Sequence, residues 1–417
     1  MSKGTIVEIN SSDGGSTGNI MHMIADAARE NGYTCYTSCP VRRKNNRKDD
    51  KYHLTFGSLI EKKIHIILGK LTGLTGYFSV FDTIVFLKRL NAIHPDIIHL
   101  HNIHGSYLCL PMLFRYIKKN NIAMVWTFHD CWAFTGRCPH FLISNCENWK
   151  IGCRECKYPH KDYPEAYFNQ ARKMWKLKKS WFTGIKNGII VTPSSWLAQL
   201  VKESFLNEYP LRIINNGIDL SVFHPLHDSD ELHSLKREYN IDEGKYIVLG
   251  VASIWNYKKG LDVFVELSDR LGPNYQVVLV GVDQKTKQQL SSSIIAIEQT
   301  ENQEKLAGLY SAATVFVNPT REDNFPTVNI EALACGTPVI TFNTGGSPEC
   351  IDELCGYVVE KGDISGLIEK INCVCMNSAF SEMNCVNRAR QFEQGNVYTK
   401  YMDIFAKLIF VSDVKTI

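Results

Sequence analysis

The chain has 417 residues, more than one hydrophobic core usually supports, so two domains of about 200 residues each are expected. Hydrophobic residues make up 44% of the chain and charged residues 21%, as in ordinary globular proteins, and a net charge of +3 does not favour nucleic-acid binding. The sequence has no run of apolar residues long enough to span a membrane, and MSKGTIVEINSSDGG lacks the apolar stretch of a signal peptide, so we expect a cytoplasmic protein.

The chain opens with the pattern of a strand, a glycine-rich turn and a helix. Thr5 to Asn10 is a short apolar run typical of a buried strand, and Asn19 to about Glu30 has apolar residues at helical spacing. The loop Ser11 to Gly18 (SSDGGSTG) lies between them, and its glycines permit close approach of a bound group. Such a loop before a helix could contact a diphosphate or an acceptor, although glycine-rich turns of this kind are common.

The region from Leu59 to Leu90 mixes apolar side chains with basic ones. Three glycines interrupt it, so no single helix of this region is expected to span a membrane. One interpretation is a basic amphipathic helix that rests on anionic lipid, and the other is a helix packed on a sheet with its basic face in water. The basic residues are Lys62, Lys63, His65, Lys70, Lys88 and Arg89.

Polar residues, histidines among them, follow two apolar strands. The predicted strands are Asp96 to His101 (DIIHLH) and Met124 to Phe128. Ligands of open α/β sheets bind beyond the carboxyl ends of the strands, and a histidine there can form hydrogen bonds and titrate near neutral pH. A single histidine is more often structural, but the pair of histidine-bearing strand ends favours a site. We predict that His129, and with it His101, Asn102, His104 and Asp130, point toward a ligand-binding cleft.

The segment 135–157 is rich in cysteine. Its spacing is C-x7-C-x6-C-x2-C, and the final C-x-x-C is that of a zinc knuckle, whereas the first two gaps fit no standard zinc finger. Two interpretations stay open: a structural zinc ion, or thiols that are reduced or paired in disulfides. Because no secretion signal precedes them, the fourteen cysteines of the chain are expected to be mainly reduced. The candidate zinc ligands are Cys138, Cys146, Cys153 and Cys156.

The polar run from His227 to Gly244 is predicted to be a linker, with the domain boundary near Leu226. We therefore expect a first domain at 1–225, which includes the cysteine-rich insertion 135–157, and a second at 226–395. The second domain should begin with the apolar strand Tyr246 to Ser253.

The stretch from Thr320 to Glu349 (TREDNFPTVNIEALACGTPVITFNTGGSPE) has the most specific pattern in the chain. A short β-branched run precedes it, and it reads as an acidic loop, a helix from Phe325 to Cys335, a strand from Pro338 to Phe342 and a glycine loop. In an open α/β sheet this order builds an anion site, because unpaired amides and the positive end of the helix face a phosphate.

The acids of this stretch suit sugar hydroxyls better than phosphates. Glu322 and Asp323 lie in the loop and Glu331 lies about two turns into the helix, so they could hold two sugar rings on either side of a diphosphate. Any one of these acids, taken alone, would more often be a solvated surface residue. The ordered set is what makes a sugar-nucleotide site the better interpretation.

The stretch resembles the donor-site signature of retaining glycosyltransferases of family four, with the GT-B fold. In that signature two acids separated by seven positions precede an A-x-x-C/S-G-x-P-V strand, and here Asp323 and Glu331 are in register, with Glu322 one position early. The segment from Asn216 to Pro225 (NGIDLSVFHP) and Lys259 before its glycine resemble further family motifs. The four-cysteine, tryptophan-bearing insertion is similar to that of transferases of colanic acid and other exopolysaccharide pathways.

The resemblance implies an α/β fold of two Rossmann-like, doubly wound domains facing across a cleft, with a C-terminal helix, 396–417, that returns to the first domain. It implies transfer of a hexose from a UDP- or GDP-sugar to a glycan or polyprenyl-linked acceptor, with retention at the anomeric carbon. Peripheral contact with an anionic membrane would suit such an acceptor. No D-x-D metal motif stands out, so no metal cofactor is expected to be required for catalysis, and zinc would be structural.

Individual roles follow from the resemblance. Glu331 would contact the ribose, and either Glu322 or Asp323 the hexose. His129 would be catalytic, in contact with the transferred sugar or the reacting centre, and the acceptor-side residues would be His101, Asn102, His104 and Asp130. Ser253 stands where the family has an arginine, so one diphosphate-binding cation is missing. The expected donor-binding residues are Gly15, Ser16, Thr17, Lys258, Lys259, Asn324, Phe325, Pro326, Thr327 and Glu331.

Two other functions remain possible from the sequence. A sugar-nucleotide-binding regulatory protein would bind the donor without turnover, and the acidic pair together with His129 argues against it. An epimerase of similar fold would convert the nucleotide sugar without an acceptor.

Overall fold

The computed structural model describes residues 2–41, 50–156, 166–377 and 379–414. The chain divides into two compact units, Met1–Asn215 with Val397–Ile417, and Asn216–Asn396. The last residue of the cysteine-rich segment and residues 415–417 of the predicted C-terminal helix lie outside the described residues. Within the described ranges, no helix is both long enough and apolar enough to cross a membrane.

The described part of the first unit contains a parallel sheet of seven strands in the order β3-β2-β1-β4-β5-β6-β7. Short apolar runs form most of these strands because the sheet is covered on both faces, which favours continuous hydrophobic segments over alternating ones. The strands are β1 Thr5–Ile9, β2 Thr34–Pro40, β3 His53–Phe56, β4 Ile97–Leu100, β5 Ala123–Thr127, β6 Gly188–Thr192 and β7 Leu211–Ile213.

Helices pack on both faces of this sheet, so the first unit is doubly wound. One face packs on α3 to α6 through a core that includes Phe86, Phe114 and Phe182. The other face packs on α1 and on the C-terminal helix, with Ile24 and Phe405 in its core. The helices are α1 Gly15–Glu30, α2 Leu59–Thr72, α3 Val80–Ile93, α4 Leu110–Lys119, α5 Ala171–Phe182, α6 Ser195–Glu203 and the C-terminal helix Gln394–Val414, numbered α14 after the helices of the second unit.

The described part of the second unit contains a parallel sheet of six strands in the order β10-β9-β8-β11-β12-β13, again with helices on both faces. The strands are β8 Tyr246–Val251, β9 Tyr275–Val280, β10 Ile294–Ile297, β11 Val315–Asn318, β12 Val339–Phe342 and β13 Gly356–Val359. The helices are α7 Ser229–Glu238, α8 Leu261–Arg270, α9 Gln284–Lys287, α10 Gln303–Ala312, α11 Thr327–Ala334, α12 Ile364–Asn377 and α13 Glu382–Arg390.

Each sheet reverses its strand order at one point, between β1 and β4 in the first unit and between β8 and β11 in the second. Loops that leave these strands diverge to opposite faces, and the crevice between them is where open α/β sheets bind ligands. The loop after β11 carries Glu322 and Asp323, and the residues after β4 include His101. The fold therefore places the predicted site residues at the two switch points.

Two expectations about the junction between the units are corrected. The units divide after Asn215, about ten residues before Leu226, because the intervening segment belongs to the second unit: Ile218 pairs with Glu393, and the Leu226 amide donates to Ser311. The polar run His227 to Gly244 is not a plain linker, since α7 lies within it. The Asp228 carboxylate accepts from the amides of Asp230 and Glu231 and so caps that helix.

The first helix also begins earlier than expected. Gly15, Ser16 and Thr17 were expected in the loop, but they form the first turn of α1. Asn10, at the end of β1, holds the loop before this turn: its side-chain amide donates to Ser12 O and to Thr17 Oγ1. The three residues still stand at a helix N-terminus, where anions are favoured.

Candidate active site

In the second unit the two loops of the switch point are joined through their backbones. The Arg321 amide donates to the Lys258 carbonyl at 2.8 Å, and Thr320 Oγ1 approaches the same carbonyl at 3.4 Å. Lys258 and Lys259 stand in a short 3-10 turn, Tyr257–Lys259, capped by the Asn256 side chain, which accepts from the Lys259 amide. These contacts fix the two lysines beside the acidic loop.

Each lysine is paired with one acid of that loop. Lys258 Nζ lies 3.1 Å from Glu322 Oε2, and Lys259 Nζ lies 2.7 Å from Asp323 Oδ2. Both lysines keep more than a third of their side chains exposed, whereas Glu322 is buried and Asp323 is largely so. The structure therefore gathers two cations and two carboxylates at one strand end, with the cations nearer the solvent.

The helix that follows, α11, is anchored at its start by a buried amide. Asn329 Oδ1 accepts from Asn318 Nδ2 at 2.8 Å, and Asn329 Nδ2 donates to Ser347 Oγ at 3.1 Å. Asn329 thereby ties the first turn of α11 to strand β11 and to the glycine loop after β12. The helix N-terminus, with Asn324 to Thr327 leading into it, is held in register with the acids.

The glycine loop packs directly on the acidic loop. Gly345 has φ +58°, and a Cβ atom placed there would lie 1.9 Å from the Asp323 carbonyl oxygen. The amide of Gly346 donates to the same oxygen at 3.3 Å. No residue with a side chain fits at Gly345 without displacing the acidic loop, which explains the glycine at this position.

Glu331 lies on α11, partly buried. Its Oε2 accepts from the Tyr310 hydroxyl at 3.0 Å. Burial raises the pKa of Glu331, and hydrogen bonds from Tyr310 and Thr327 partly oppose this effect. In its ionised form this carboxylate can accept from two hydroxyl groups, which is the role predicted for Glu331 toward a ribose.

Two residues of this unit were missed by the sequence analysis. Tyr310 orients Glu331, and nothing in the sequence marks it because it lies on another helix. Arg321 forms a two-pronged pair with Asp262, both contacts at 2.7 Å, and stacks 3.9 Å from the ring centroid of Tyr257. Its guanidinium braces the turn that carries the lysines, so it does not stand in for the arginine that Ser253 replaces.

In the first unit the five residues predicted at the strand ends come together. His101, Asn102, His104, His129 and Asp130 all line one small pocket. His104 Nε2 lies 2.7 Å from Asp130 Oδ2. Burial alone would raise the pKa of Asp130, but His104 and the hydrogen bond from the Trp132 amide lower this pKa to about 2. The structure therefore brings these five residues together, and their catalytic and acceptor-side roles stay a prediction.

The pocket has a second layer that the sequence analysis missed. His101 Nδ1 and His129 Nε2 lie 3.0 Å apart, with the two rings stacked. His101 Nε2 in turn lies 2.7 Å from Oε2 of Glu8, a fully buried acid on β1. A charged residue inside the apolar run TIVEI was the available signal for this acid.

The predicted cysteine ligands are not assembled for metal binding. Among the described residues, Glu8, His99 and His101 form the one group with three potential ligand atoms within 4.8 Å of one another, and the four thiols of segment 135–157 form no such group. The Cys153 sulfur accepts from the Gly136 amide at 3.1 Å, and burial raises its pKa to about 11, which opposes the thiolate form that zinc needs. Zinc binding therefore stays a prediction, which metal analysis of protein purified without chelator would test.

A buried lysine supports this segment. Lys178 Nζ donates to the carbonyls of Trp132 and Thr135 at 2.7 and 3.1 Å, and it lies 3.4 Å from the ring centroid of Trp132. Burial lowers its pKa well below the ordinary value. The segment is thus held to α5 by polar and aromatic contacts that do not depend on a metal.

The fold and the strand-end sites define a glycosyltransferase architecture, and comparisons with known protein families agree. Residues 17–222 match the family described as Glycosyltransferase Family 4, and residues 233–392 match Glycosyl transferases group 1. The chain therefore belongs to the family-four glycosyltransferases with the GT-B fold.

Individual relatives are similar over parts of the chain. The putative colanic acid biosynthesis glycosyl transferase WcaC of Escherichia coli K12 is 26% identical over 283 residues, 66% of each chain. An N,N'-diacetylbacillosaminyl-diphospho-undecaprenol alpha-1,3-N-acetylgalactosaminyltransferase of Campylobacter jejuni is 22% identical over 221 residues, 51% of this chain and 58% of that one. The chain thus spans less than two thirds of the length of these curated relatives.

Solved structures show the same fold over the whole length. Sucrose-phosphate synthase from Thermosynechococcus elongatus superimposes with a TM-score of 0.70 at 18% identity, covering 98% of this chain and 100% of that one. At this identity the likeness concerns the fold alone.

Proposed function

We propose that the protein transfers a hexose from a nucleotide diphosphate sugar to a hydroxyl group of a glycan or lipid-linked glycan, with retention at the anomeric carbon, in the synthesis of a surface polysaccharide. The observation that carries the proposal is the double pairing of Lys258 with Glu322 and Lys259 with Asp323, at the switch point of the second sheet and ahead of α11. The relation to WcaC and to a transferase named for an undecaprenol-linked acceptor supports the acceptor class.

The paired charges suit an arriving diphosphate sugar. Each lysine neutralises an acid of the loop, and the more exposed ammonium groups are the ones a diphosphate would reach first. Once they bind phosphate oxygens, the carboxylates of Glu322 and Asp323 become available to accept from hexose hydroxyls. The amides at the start of α11 add positive potential for the same phosphates. Glu331, deeper on the helix, would accept from the ribose.

The chemistry we propose uses the leaving group as the base. The bond between the anomeric carbon and the phosphate oxygen breaks, and its electron pair stays on the nucleoside diphosphate. The acceptor oxygen bonds to the same face of the anomeric carbon, and its proton passes to the departing phosphate oxygen. Lys258, Lys259 and the α11 amides stabilise the charge that develops on the diphosphate. In this scheme His129 contacts the transferred hexose, and the residues beside it in the first unit bind the acceptor.

The purified chain should transfer sugar in a donor screen with lipid-linked glycan acceptors, and the rate should persist in excess EDTA because lysines and amides supply the positive charge. NMR of the product should show the same anomeric configuration as the donor. A product of inverted configuration would contradict the mechanism, and loss of the rate in EDTA would contradict metal independence. Donor binding without turnover would indicate a regulatory protein, and conversion of the donor without acceptor would indicate an epimerase.

An apolar surface of the first unit bears on the acceptor. Along α2 the fully buried residues are His65 and Gly69, so most of the apolar side chains of this helix face outward. Ile60 is 74% exposed and Phe81, on α3, is 77% exposed. The α2–α3 surface consists of Ile60, Ile64, Ile67, Leu71, Val80, Phe81, Ile84 and Val85.

Polar contacts join these two helices. His65 Nδ1 lies 2.7 Å from Ser79 Oγ, and Glu61 accepts from the amides of Phe81 and Asp82 at the start of α3. The apolar residues are therefore left for another partner. Soluble proteins seldom expose a contiguous apolar surface of this kind without a binding role.

We infer that this partner is an anionic lipid surface. Exposed apolar side chains stand beside the basic residues Lys63, Lys70 and Lys88, and this combination favours insertion at the interface of a charged bilayer. A protein that acts on a lipid-linked glycan would benefit from such contact, because the acceptor is confined to the membrane.

Charge reversal should remove the membrane contact. We expect the wild-type chain to float with vesicles that contain anionic lipid, and the variant Lys62→Glu/Lys63→Glu/Lys70→Glu to bind at least about tenfold more weakly, since each basic residue near the surface contributes ~1 kcal/mol. Ile60→Ser/Phe81→Ser should act in the same direction. Leu354→Ser, which alters an exposed leucine of the second unit, is the matched control. Unchanged flotation of the charge variant, or a wild-type chain that forms a dimer through this surface and does not float, would contradict the inference.

A further inference from the structure

A buried network of hydrogen bonds runs from the C-terminal helix to His129. Three adjacent strands contribute to it, and Glu8 of β1 stands directly opposite His99 of β4. Tyr401 of α14 closes the other end, with its ring 5.3 Å from that of His99. The Glu8 network consists of Tyr401, Thr127, His99, Glu8, His101 and His129.

Glu8 is the centre of the network and its one acid. His101 Nε2 lies 2.7 Å from Oε2 of Glu8, and His99 Nδ1 lies 2.8 Å from the same oxygen and 3.0 Å from the other. The side chains of all three residues are fully buried. Burial raises the pKa of Glu8, and the hydrogen bond from His101 opposes that rise, so the carboxylate form of Glu8 depends on both rings as donors.

This requirement determines where the protons are. A carboxylate only accepts, so His101 carries its proton on Nε2 and its Nδ1 is an acceptor. His129 Nε2, 3.0 Å from that atom, must then be the donor. In a neutral ring the proton on Nε2 makes Nδ1 of His129 an acceptor atom.

The other arm of the network fits the same assignment. His99 donates from Nδ1 to Glu8, so its Nε2 accepts from the Thr127 hydroxyl at 2.8 Å. Thr127 Oγ1 in turn accepts from the Tyr401 hydroxyl at 3.0 Å. Every hydrogen bond of the network then has one proton, and no ring needs a charge.

The environment supports neutral rings. Burial is the main reason why the pKa of His99 and of His101 falls to about 3, and burial lowers the pKa of His129 to about 4. All three histidines are therefore uncharged at neutral pH. A neutral histidine acts as donor on one side and acceptor on the other, and its neighbours decide which nitrogen does which.

We propose that Glu8 is a positioning residue for His129: through His101 it holds the proton of His129 on Nε2 and so makes Nδ1 the atom that accepts from a sugar hydroxyl. The proposal rests on the proposed function, in which His129 contacts the transferred hexose. Glu8 would thus take part in transfer although it lies on the first strand, far from His129 along the sequence.

The wild-type protein gives the first test. With histidine labelled by ¹⁵N, and resonances assigned through single variants at positions 99, 101 and 129, we expect the His129 ring to be protonated on Nε2 and not on Nδ1 at pH 7. The opposite tautomer, or a charged ring, would overturn the proposal. This measurement does not depend on transferase activity, so it is independent of the proposed function.

A double-variant cycle gives the second test. We expect Glu8→Gln to lower the transfer rate about tenfold, the effect of one misplaced hydrogen bond, and to leave His129 as a mixture of tautomers. In a His129→Ala background the same change should alter the rate less than about twofold, because its effect passes through that ring. Equal effects in both backgrounds would indicate a merely structural role and overturn the proposal.

Two controls accompany the cycle. Tyr116→Phe, which alters a partly buried tyrosine of the same unit outside the network, should leave the His129 tautomer and the transfer rate unchanged. Binding of the free nucleoside diphosphate, measured by calorimetry, reports whether the second unit of each variant is intact, because that unit contains none of these residues. If the wild-type chain shows no transfer with any donor, the proposed function fails, and the tautomer of His129 still decides whether Glu8 positions it.

Discussion

Replacing Lys259 by alanine is expected to lower the rate of sugar transfer about a hundredfold, which corresponds to ~3 kcal/mol of lost transition-state stabilisation. The reason is that negative charge on the diphosphate grows as its bond to the sugar breaks, and Lys259 is one of two lysines fixed at that strand end. Its Nζ is held 2.7 Å from Asp323, so it is already in place before the donor binds. A preorganised cation of this kind acts more on the transition state than on the ground state.

The measurement is steady-state kinetics with saturating acceptor, and the expected change lies mainly in kcat. Lys245→Ala is a suitable control, because Lys245 is also a partly exposed lysine within 4 Å of an aspartate, Asp242, but stands at the amino end of β8. Wild-type kinetics for Lys259→Ala, or an equal loss in the control, would remove Lys259 from the donor site. Lys258→Ala should have a smaller effect, since the Lys258 side chain is more exposed than that of Lys259 and its Nζ lies farther from its acid, 3.1 Å against 2.7 Å.

The order of loop, helix, strand and glycine loop from Thr320 to Glu349 could be predicted from the sequence because its signals are local. Acids, helix start and glycine pair follow one another within thirty positions, from Thr320 to Glu349. The close contact of Gly345 with the Asp323 carbonyl shows that the glycine loop must pack on the acidic loop, so both are needed in the same stretch. The pairing of Lys258 with Glu322 was not predictable, because it depends on how two loops sixty positions apart meet at the switch point.

The first unit was harder to predict for the same reason. The histidines at the strand ends were recognisable, but their connection to Glu8 spans more than ninety positions and exists only through the register of β1 and β4. Strand β2 (TCYTSCP) escaped prediction because small polar residues and cysteines replace the usual branched apolar ones. The direction in which α2 faces was left open, since an amphipathic pattern identifies two faces but not which of them is buried.

The segment of helix α7 was predicted to be a linker because its composition is polar, but local capping makes it a helix. Its mean composition is polar and it buries one residue fully, Leu235, so apolar periodicity gives almost no signal. Asp228 at its start and the acids that follow are the features that favour a helix there. In this segment the residues that start a helix determine the local structure, and its polar composition does not.

Glu331→Ala is the second change expected to lower transfer by about a hundredfold, again ~3 kcal/mol. Here the loss should lie in donor affinity as well as in rate, because Glu331 is proposed to hold the ribose and so to place the whole nucleotide. Isothermal titration with the nucleoside diphosphate and steady-state kinetics measure the two parts. Unchanged affinity together with an unchanged rate would remove Glu331 from the site.

The variant Glu331→Gln separates binding from folding. Burial raises the pKa of Glu331 above its value in the unfolded chain. The folded state therefore loses stability relative to the unfolded state as the pH rises from the unfolded pKa through the folded pKa. Above the pKa of the folded state the ionised carboxylate is therefore a cost to folding, and glutamine should there give a thermal midpoint at least as high as that of the wild type. Lower activity together with equal or higher stability would show that the acid is kept for the ligand.

The acid limb of the pH profile offers an independent measure of the same carboxylate. The Tyr310 hydroxyl donates to Glu331 and lowers its pKa, so Tyr310→Phe should raise that pKa further. Donor binding requires the ionised form, and the limb of kcat/KM that falls on acidification should accordingly move to higher pH in Tyr310→Phe. The control is Tyr275→Phe, which removes a hydroxyl that bonds Asn372 in the same unit. A profile that does not move in Tyr310→Phe would mean that Glu331 does not act as a carboxylate in donor binding.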